Sequence, residues 1–355
     1  MHEVSDSGAA VLWRFGALQS AIADARELDT LALLAREITP LTLQAMDEGA
    51  DVGQTTATIS ALNDAVNRAV VSRVAAGMGV DLRRACWLVF GSQARSEQTI
   101  ATDQDNGLIF ESDDPDADRP RWMEFGRRCN EALADCGYPL CSGSVMAGQP
   151  LCCLVAPEWC ARFEHWLEHG RGSDLFGVRL YFDLRPLAGR SELAAPVQAL
   201  LHSPAAAVPR FLKQMADSVL RKPVPLNWLG RTRPEQVDGH QRFDLKMSGT
   251  ALFVDAARLW ALEHALPHTG TAARLQAAAP LLRVPAPELE QWLQGFHALQ
   301  RLRLQVQRRI GSDADPEQRC QVDWAELDAD QRRALNRALH AARWVQQRIA
   351  LDWCR

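Results

Sequence analysis

Apolar residues recur at three- and four-residue intervals through AVLWRFGALQSAIADARELDTLALLAREITPLTLQAM and again through TATISALNDAVNRAVVSRVAAGMG. Residues 8 to about 79 are therefore expected to be helical, with Gly77 and Gly79 supplying the stop. The pattern then changes. ACWLVF, residues 85–90, is too short for a helix and is ended by Gly91, as a buried strand would be, and NGLIFE is a second such run. The acidic ESDDPDADRP is expected to be a solvated loop. RWMEFGRRCNEALADCG and PEWCARFEHWLEHG have helical periodicity, whereas FGVRLYFDLRPLAG alternates like a strand between glycines. Residues 80–190 thus mix strands and helices, an α/β or α+β unit. From Ser191 to the end the periodicity is almost entirely helical, interrupted by the proline-rich connection RKPVPLNWLGRTRP. The expected division is a helical segment over 1–80, a mixed domain over 81–190 and a helical domain over 191–355, with no internal repeat.

Composition narrows the classes. The chain has 355 residues, of which 47% are hydrophobic and 23% charged, values ordinary for a globular protein with room for two or three domains. A formal net charge of −5 argues against broad nucleic-acid binding. No apolar run approaches the 18 or so residues of a membrane span. The opening MHEVSDSGAAVLWRF lacks a basic stretch followed by an apolar one, so no export signal and a cytoplasmic location are expected. Nine cysteines include six between Cys129 and Cys160, but none forms a CxxC pair. The irregular spacing favours reduced thiols over a zinc site.

Chemistry gathers in GSQARSEQTIATDQDNGLIF, residues 91–110. Gly91 and Ser92 follow a buried strand, and QARSEQ after them can open a helix, whose free amides and a serine hydroxyl suit a phosphate. Asp103 and Asp105 stand two apart at the mouth of the next strand, so both carboxylates face one side and repel unless a cation lies between them. Hard carboxylate oxygens suit Mg²⁺, which completes its shell with phosphate oxygens and water. A phosphate cradle beside this pair implies a site for a divalent metal (Mg²⁺ or Mn²⁺) and a nucleoside triphosphate.

The same stretch resembles the catalytic signature of the DNA polymerase β-type nucleotidyltransferase superfamily. More closely, it is similar to the bacterial nucleotidyltransferase-like proteins grouped with the N-terminal part of PII-protein uridylyltransferases. Gly-Ser, an Arg, Glu-Gln-Thr and Thr-Asp-Gln-Asp-Asn all stand here, and ISALNDAVNRAV, GYPLCSGSVMAG, YFDLRPLAG and FDLKMSGTALFVDAARLWAL resemble further blocks of that group. The resemblance covers about residues 55–350. It implies an α+β fold: a small mixed sheet with helices, flanked by an N-terminal helical segment and a C-terminal helical bundle. It also implies a metal-dependent transfer of an NMP group from an NTP to an acceptor, most readily a hydroxyl on a signalling protein.

In that resemblance Asp183 matches a third carboxylate on a neighbouring strand, which holds metal or activates the acceptor. An ion pair with Arg185 is the alternative reading of Asp183. Asp103, Asp105 and Asp183 are then the expected catalytic and metal-binding set, with Gly91, Ser92 and Arg95 holding phosphates. DLKMSGTALFVDAAR resembles the Lys-Gly-Gly-Asp block of uridylyl- and adenylyltransferases and adds Lys246 as a nucleotide contact, although Thr250 stands where a second glycine is often seen. The loop CSGSVMAG is read as a turn near the cleft, and the pairs His165/His169 and His264/His268 as surface histidines, since no HExxH accompanies them. Most of the 11 tryptophans fall on apolar helix faces and are expected in the core. A nucleotide-sensing domain without catalysis is the alternative function. The hydrolase and ACT domains that follow the catalytic unit in full uridylyltransferases are not expected in this chain.

Overall fold

Six consecutive buried residues make Ala85–Phe90 (β1) the centre of a four-stranded sheet. The computed structural model describes residues 6–170, 178–310 and 318–353; residues 1–5, part of the stretch read as lacking a leader, and 176–177 of the alternating segment lie outside them. Sheet order is β3-β2-β1-β4, with β2 at Asn106–Phe110, β3 at Cys153–Leu154 and β4 at Leu184–Gly189. β1 runs antiparallel to both β2 and β4, with a register shift between Trp87 and Leu88 on the β4 side, and β2 runs parallel to β3. This mixed sheet between helices is the expected α+β class.

Alternation along β1 divides the core. Trp87 and Val89, with Leu108 and Phe110 of β2, join one apolar cluster with Val66, Val70, Trp122 and Phe125. On the opposite side, the Phe90 ring packs against Trp159 and Tyr181 at 5.8 and 5.1 Å between centroids. A strand buried on both faces must be apolar at every position, which is why ACWLVF shows no alternation of polarity.

The N-terminal periodicity forms four helices: α1 (Asp6–Asp24), α2 (Leu28–Arg36), α3 (Ile38–Asp47) and α4 (Val52–Met78). Asp51 caps α4 by accepting from the Gly53 and Gln54 amides, and Gly79 ends it at φ +62°. The following short helix α5 (Gly91–Ala94) has a single turn, and Ser96 after it has φ +57°, so QARSEQ does not continue as a helix. Helix α6 (Pro115–Asp135) corrects the reading of ESDDPDADRP as a loop: its second half is the first turn of the helix. Asp114 caps the Ala117 amide, Pro115 sits at the first position, and Asp116 and Asp118 complement the positive end of the dipole. Helix α7 (Ala156–His169) matches its expected span.

The chain forms two compact units, Met1–Trp166 with Gly177–Leu200, and Leu167–Phe176 with Leu201–Arg355. The second is mainly helical, with helices at Pro209–Leu220, Ala251–Glu263, Thr271–Leu281, Ala286–Ile310 and Ala329–Trp353. It also contains an antiparallel sheet not expected from the helical pattern: β5 (Glu235–Val237), β6 (His240–Asp244) and β7 (Gln321–Asp323). Its hairpin turns on Asp238-Gly239, at φ +51° and +80°, the two-residue turn that Asp-Gly favours. Trp260 and Trp292 stack inside this unit at 5.5 Å, whereas Trp228 is exposed.

Candidate functional site

The sharp passage from β1 into α5 organises the site. Gly91 takes φ +55°, and a Cβ there would come within 3.1 Å of Asp105 Oδ2. Glycine is thus required both by conformation and by the carboxylate beside it. The backbone joins three segments here. The Phe90 amide donates to the Asp105 carbonyl at 2.9 Å, and the Gly91 amide donates to the Asp183 carbonyl at 3.1 Å. Because β2 and β4 both run antiparallel to β1, the residues just before them arrive together at its C-terminal end.

Residues 103–106 use the two faces of an extended chain for different tasks. Gln104 and Asn106 turn inward and are buried. Gln104 Nε2 donates to the Asn130 and Tyr138 carbonyls at 2.9 and 2.8 Å, and Asn130 Nδ2 donates to Gln104 Oε1 and Asn106 Oδ1. Asn106 Oδ1 and Asn130 Oδ1 then accept the Ala147 and Gly148 amides. Asp103 and Asp105 alternate with them in sequence and keep partial exposure. Their ligand oxygens and Cys141 Sγ lie within 4.8 Å of one another.

Cys141 donates to Asp105 Oδ1 at 3.4 Å, and burial together with the Asp105 charge pushes its thiol up to about 11. It is therefore a neutral hydrogen-bond donor at pH 7, and the two carboxylates supply the hard oxygens. A pair of carboxylates this close, still open to solvent, fits a divalent cation that shares its remaining positions with phosphate or water. Among the described residues this is the group of acids, cysteines and histidines able to hold a metal, and neither histidine pair takes part.

Asp183 arrives differently from its expectation. It occupies a bend between a short 3₁₀ turn, Arg179–Phe182, and the start of β4, so it is not mid-strand. β1 separates β4 from β2, so the strand Asp183 precedes does not neighbour the one Asp105 precedes. Its side chain is fully buried, with Oδ2 accepting from Arg95 Nη1 at 2.5 Å. Arg185, the alternative partner, instead reaches Asp64 of α4 at 2.7 Å. Arg95 is held on a second side by Glu97 at 2.7 Å. Burial works against the guanidinium charge, but the Glu97 and Asp183 carboxylates outweigh it and push its pKa further up. The expected surface or triphosphate-facing arginine is thus a nearly buried, doubly paired one.

A polar row on α4 supports this turn from below. Asp64 accepts from Gln93 Nε2 at 3.0 Å as well as from Arg185, Asn63 binds Gln98 and the Tyr138 hydroxyl, and Ser60 Oγ accepts the Gln98 amide. Helical periodicity alone places such residues on a solvent face; here they are buried. Lys246 belongs to the second unit, where it begins a π-helical turn, Lys246–Thr250, whose first amides are capped by Asp244. Thr250, in place of glycine, is buried and donates back to the Leu245 carbonyl at 3.4 Å.

Residues 36–173 match the family described as "Putative nucleotidyltransferase DUF294", and residues 209–353 match its companion, "Putative nucleotidyltransferase substrate binding domain". The two spans fall either side of Gly177–Leu200 and cover most of the chain. Fold and sequence therefore agree on a nucleotidyltransferase-type catalytic unit followed by a substrate-binding domain. The chain belongs to this family, and membership supports nucleotidyl transfer as its class of activity. No curated protein matches the chain.

Proposed function

We propose that the protein transfers an NMP group from a nucleoside triphosphate to a hydroxyl on a protein acceptor, in the manner of a PII uridylyltransferase. The observation that carries this reading is the pair of half-open carboxylates, Asp103 and Asp105, beside Gly91. In this reading Asp103 and Asp105 hold a divalent ion such as Mg²⁺, which supplies the positive charge that in-line attack on an α-phosphate requires. Gly91 and Ser92 shape the turn against which phosphates lie. Asp183 completes the set, with Arg95 as the counter-ion that offsets the cost of burying its carboxylate. Catalysis resides in 81–190, with 1–80 buttressing it and 191–355 presenting the acceptor.

One observation favours a second reading. Asp183 is already paired with Arg95, and a domain that only senses nucleotide needs no third free carboxylate. Incubation with each NTP labelled at the α-phosphate, with Mg²⁺ or Mn²⁺ and a host lysate, separates the two. Label on one protein band supports transfer and identifies nucleotide and acceptor together. Nucleotide binding without label on any band, for all four NTPs, leaves the sensor.

A further inference from the structure

A second concentration of charge lies in the second unit, far along the chain from the aspartate pair. Asn227 Oδ1 accepts the Leu229 and Arg231 amides, both at 2.9 Å, and so folds 227–231 into a tight loop. The carbonyl of Gly230 is then bonded by Asn336 Nδ2 at 2.9 Å and by His340 Nε2 at 2.8 Å, fastening the loop to the helix Ala329–Trp353. This sets Arg231 and Thr232 beside Arg332, Arg333 and Arg337, and together with Trp324 and Asn336 they line a concave pocket of about 420 Å³.

Four arginines line one pocket on a chain whose net charge is −5. Asp330 offsets one of them, Arg333. Arg333 and Arg337 also stand four apart on the same helix face, a spacing at which like charges destabilise a helix. Arg332 is the fixed element. Its guanidinium lies 5.2 Å over the Trp324 ring and donates to the Trp324 carbonyl at 2.9 Å, while its Nε is buried without a hydrogen-bond partner. Thr232 Oγ1 accepts from Asn336 at 3.2 Å, which leaves its own hydroxyl hydrogen to donate.

We propose that this pocket binds the phosphate groups of a small phosphorylated ligand. Forked guanidinium donors match phosphate oxygens in pairs, and the volume falls in the range of small-molecule sites, about 300–1,000 Å³. An extended acidic protein segment fits less well, because the four arginines cluster around one spot rather than spread along a stripe. The pocket is lined by residues of the second unit alone, and the proposal stands whether or not the aspartate pair transfers nucleotides.

The test is calorimetric titration of the full chain with inorganic phosphate, pyrophosphate, ATP and adenosine, in EDTA so that divalent ions do not contribute. Pyrophosphate and ATP are expected to bind and adenosine not to. Arg337→Gln, an exposed change, and Arg332→Gln should each weaken binding about tenfold, or about 1.4 kcal/mol. Arg83→Gln, at an exposed arginine outside the pocket lining, should leave it unchanged. ATP binding more tightly than pyrophosphate would mark a nucleotide as the source, and equal binding a free polyphosphate; both support the pocket. The proposal is overturned if pyrophosphate gives no saturable binding, if Arg337→Gln and Arg332→Gln bind it as the unaltered chain does, or if a short polyglutamate displaces it as readily as phosphate does.

Discussion

At Gly91 a single missing Cβ decides whether Asp105 can stand where it does. Gly91→Ala would force a non-glycine residue to φ +55° and bring a methyl to 3.1 Å from Asp105 Oδ2. The conformational part alone costs about 1–2 kcal/mol. Urea denaturation should show that loss, and Mn²⁺ affinity should fall with it because the carboxylate must move. Asp105→Asn tests the charge without the strain. Transfer activity should drop on the order of a thousandfold, the scale of losing one electrostatic contact to a transition state, with the melting temperature nearly unchanged. Retained turnover would remove Asp105 from the site. Cys141 provides a pH readout of the same place. Its thiol is raised to about 11 by burial and Asp105, so only about 1% is thiolate at pH 9. Iodoacetamide labelling of Cys141, followed by peptide mass spectrometry, should remain slow at pH 9 and accelerate toward pH 11. A midpoint near the ordinary thiol value would mean that Cys141 is neither buried nor faced by Asp105. The two acids were legible from the sequence because residues two apart share a face of an extended chain. Cys141 was not, since nothing local links it to a residue 36 positions away.

Helix α4 is the element on which the turn rests. Asp64 ties it to Gln93 and Arg185, and Asp64→Ala would leave the Arg185 guanidinium without its carboxylate. The expected destabilisation is about 3 kcal/mol, near the low end for a broken buried pair because Arg185 retains some water contact. Chemical denaturation should measure it, and Asp64→Asn should recover the Gln93 bond but not the ion pair. Equal stability of Asp64→Ala and the unaltered chain would show that α4 packs without this contact. The existence of α4 and its C-terminal end followed from apolar spacing and a glycine stop, whereas its cap at Asp51 was not read. Burial of its polar row did not, because periodicity counts residues by polarity and cannot tell a solvated amide from a satisfied one. Two local signals were present but unread: Asp114-Pro115 as a helix start, and Asp238-Gly239 as a hairpin turn.

On the scale of the whole chain, the two compact units should unfold in separate steps, since each has its own core. Scanning calorimetry is expected to resolve two transitions. Mn²⁺ alone should raise the one belonging to the unit with Asp103 and Asp105, by the linkage of ligand binding to folding. A single transition shifted as a whole would mean that the units are thermodynamically one. Among the described residues no helix is long and apolar enough to cross a membrane, in agreement with the hydropathy pattern.

Apolar spacing by itself determined where most helices lie, that β1 is buried on both faces, and that Asp103 and Asp105 present themselves together. These are local properties, set by the periods of helix and strand over a few residues. The partner of Asp183 was decided only by the tertiary structure. Arg185, two residues away, was the local candidate, but Arg95, 88 positions away, forms the pair. A bend before β4 brings the Asp183 backbone to Gly91 and its carboxylate to Arg95, whereas Arg185, two residues on, reaches Asp64. Sheet order likewise put β1 between the strands that follow Asp105 and Asp183, because antiparallel pairing on both edges of β1 brings two chain entries to one end. Ion pairs and sheet neighbours are chosen by which segments meet in space, and a one-dimensional pattern carries no term for that meeting.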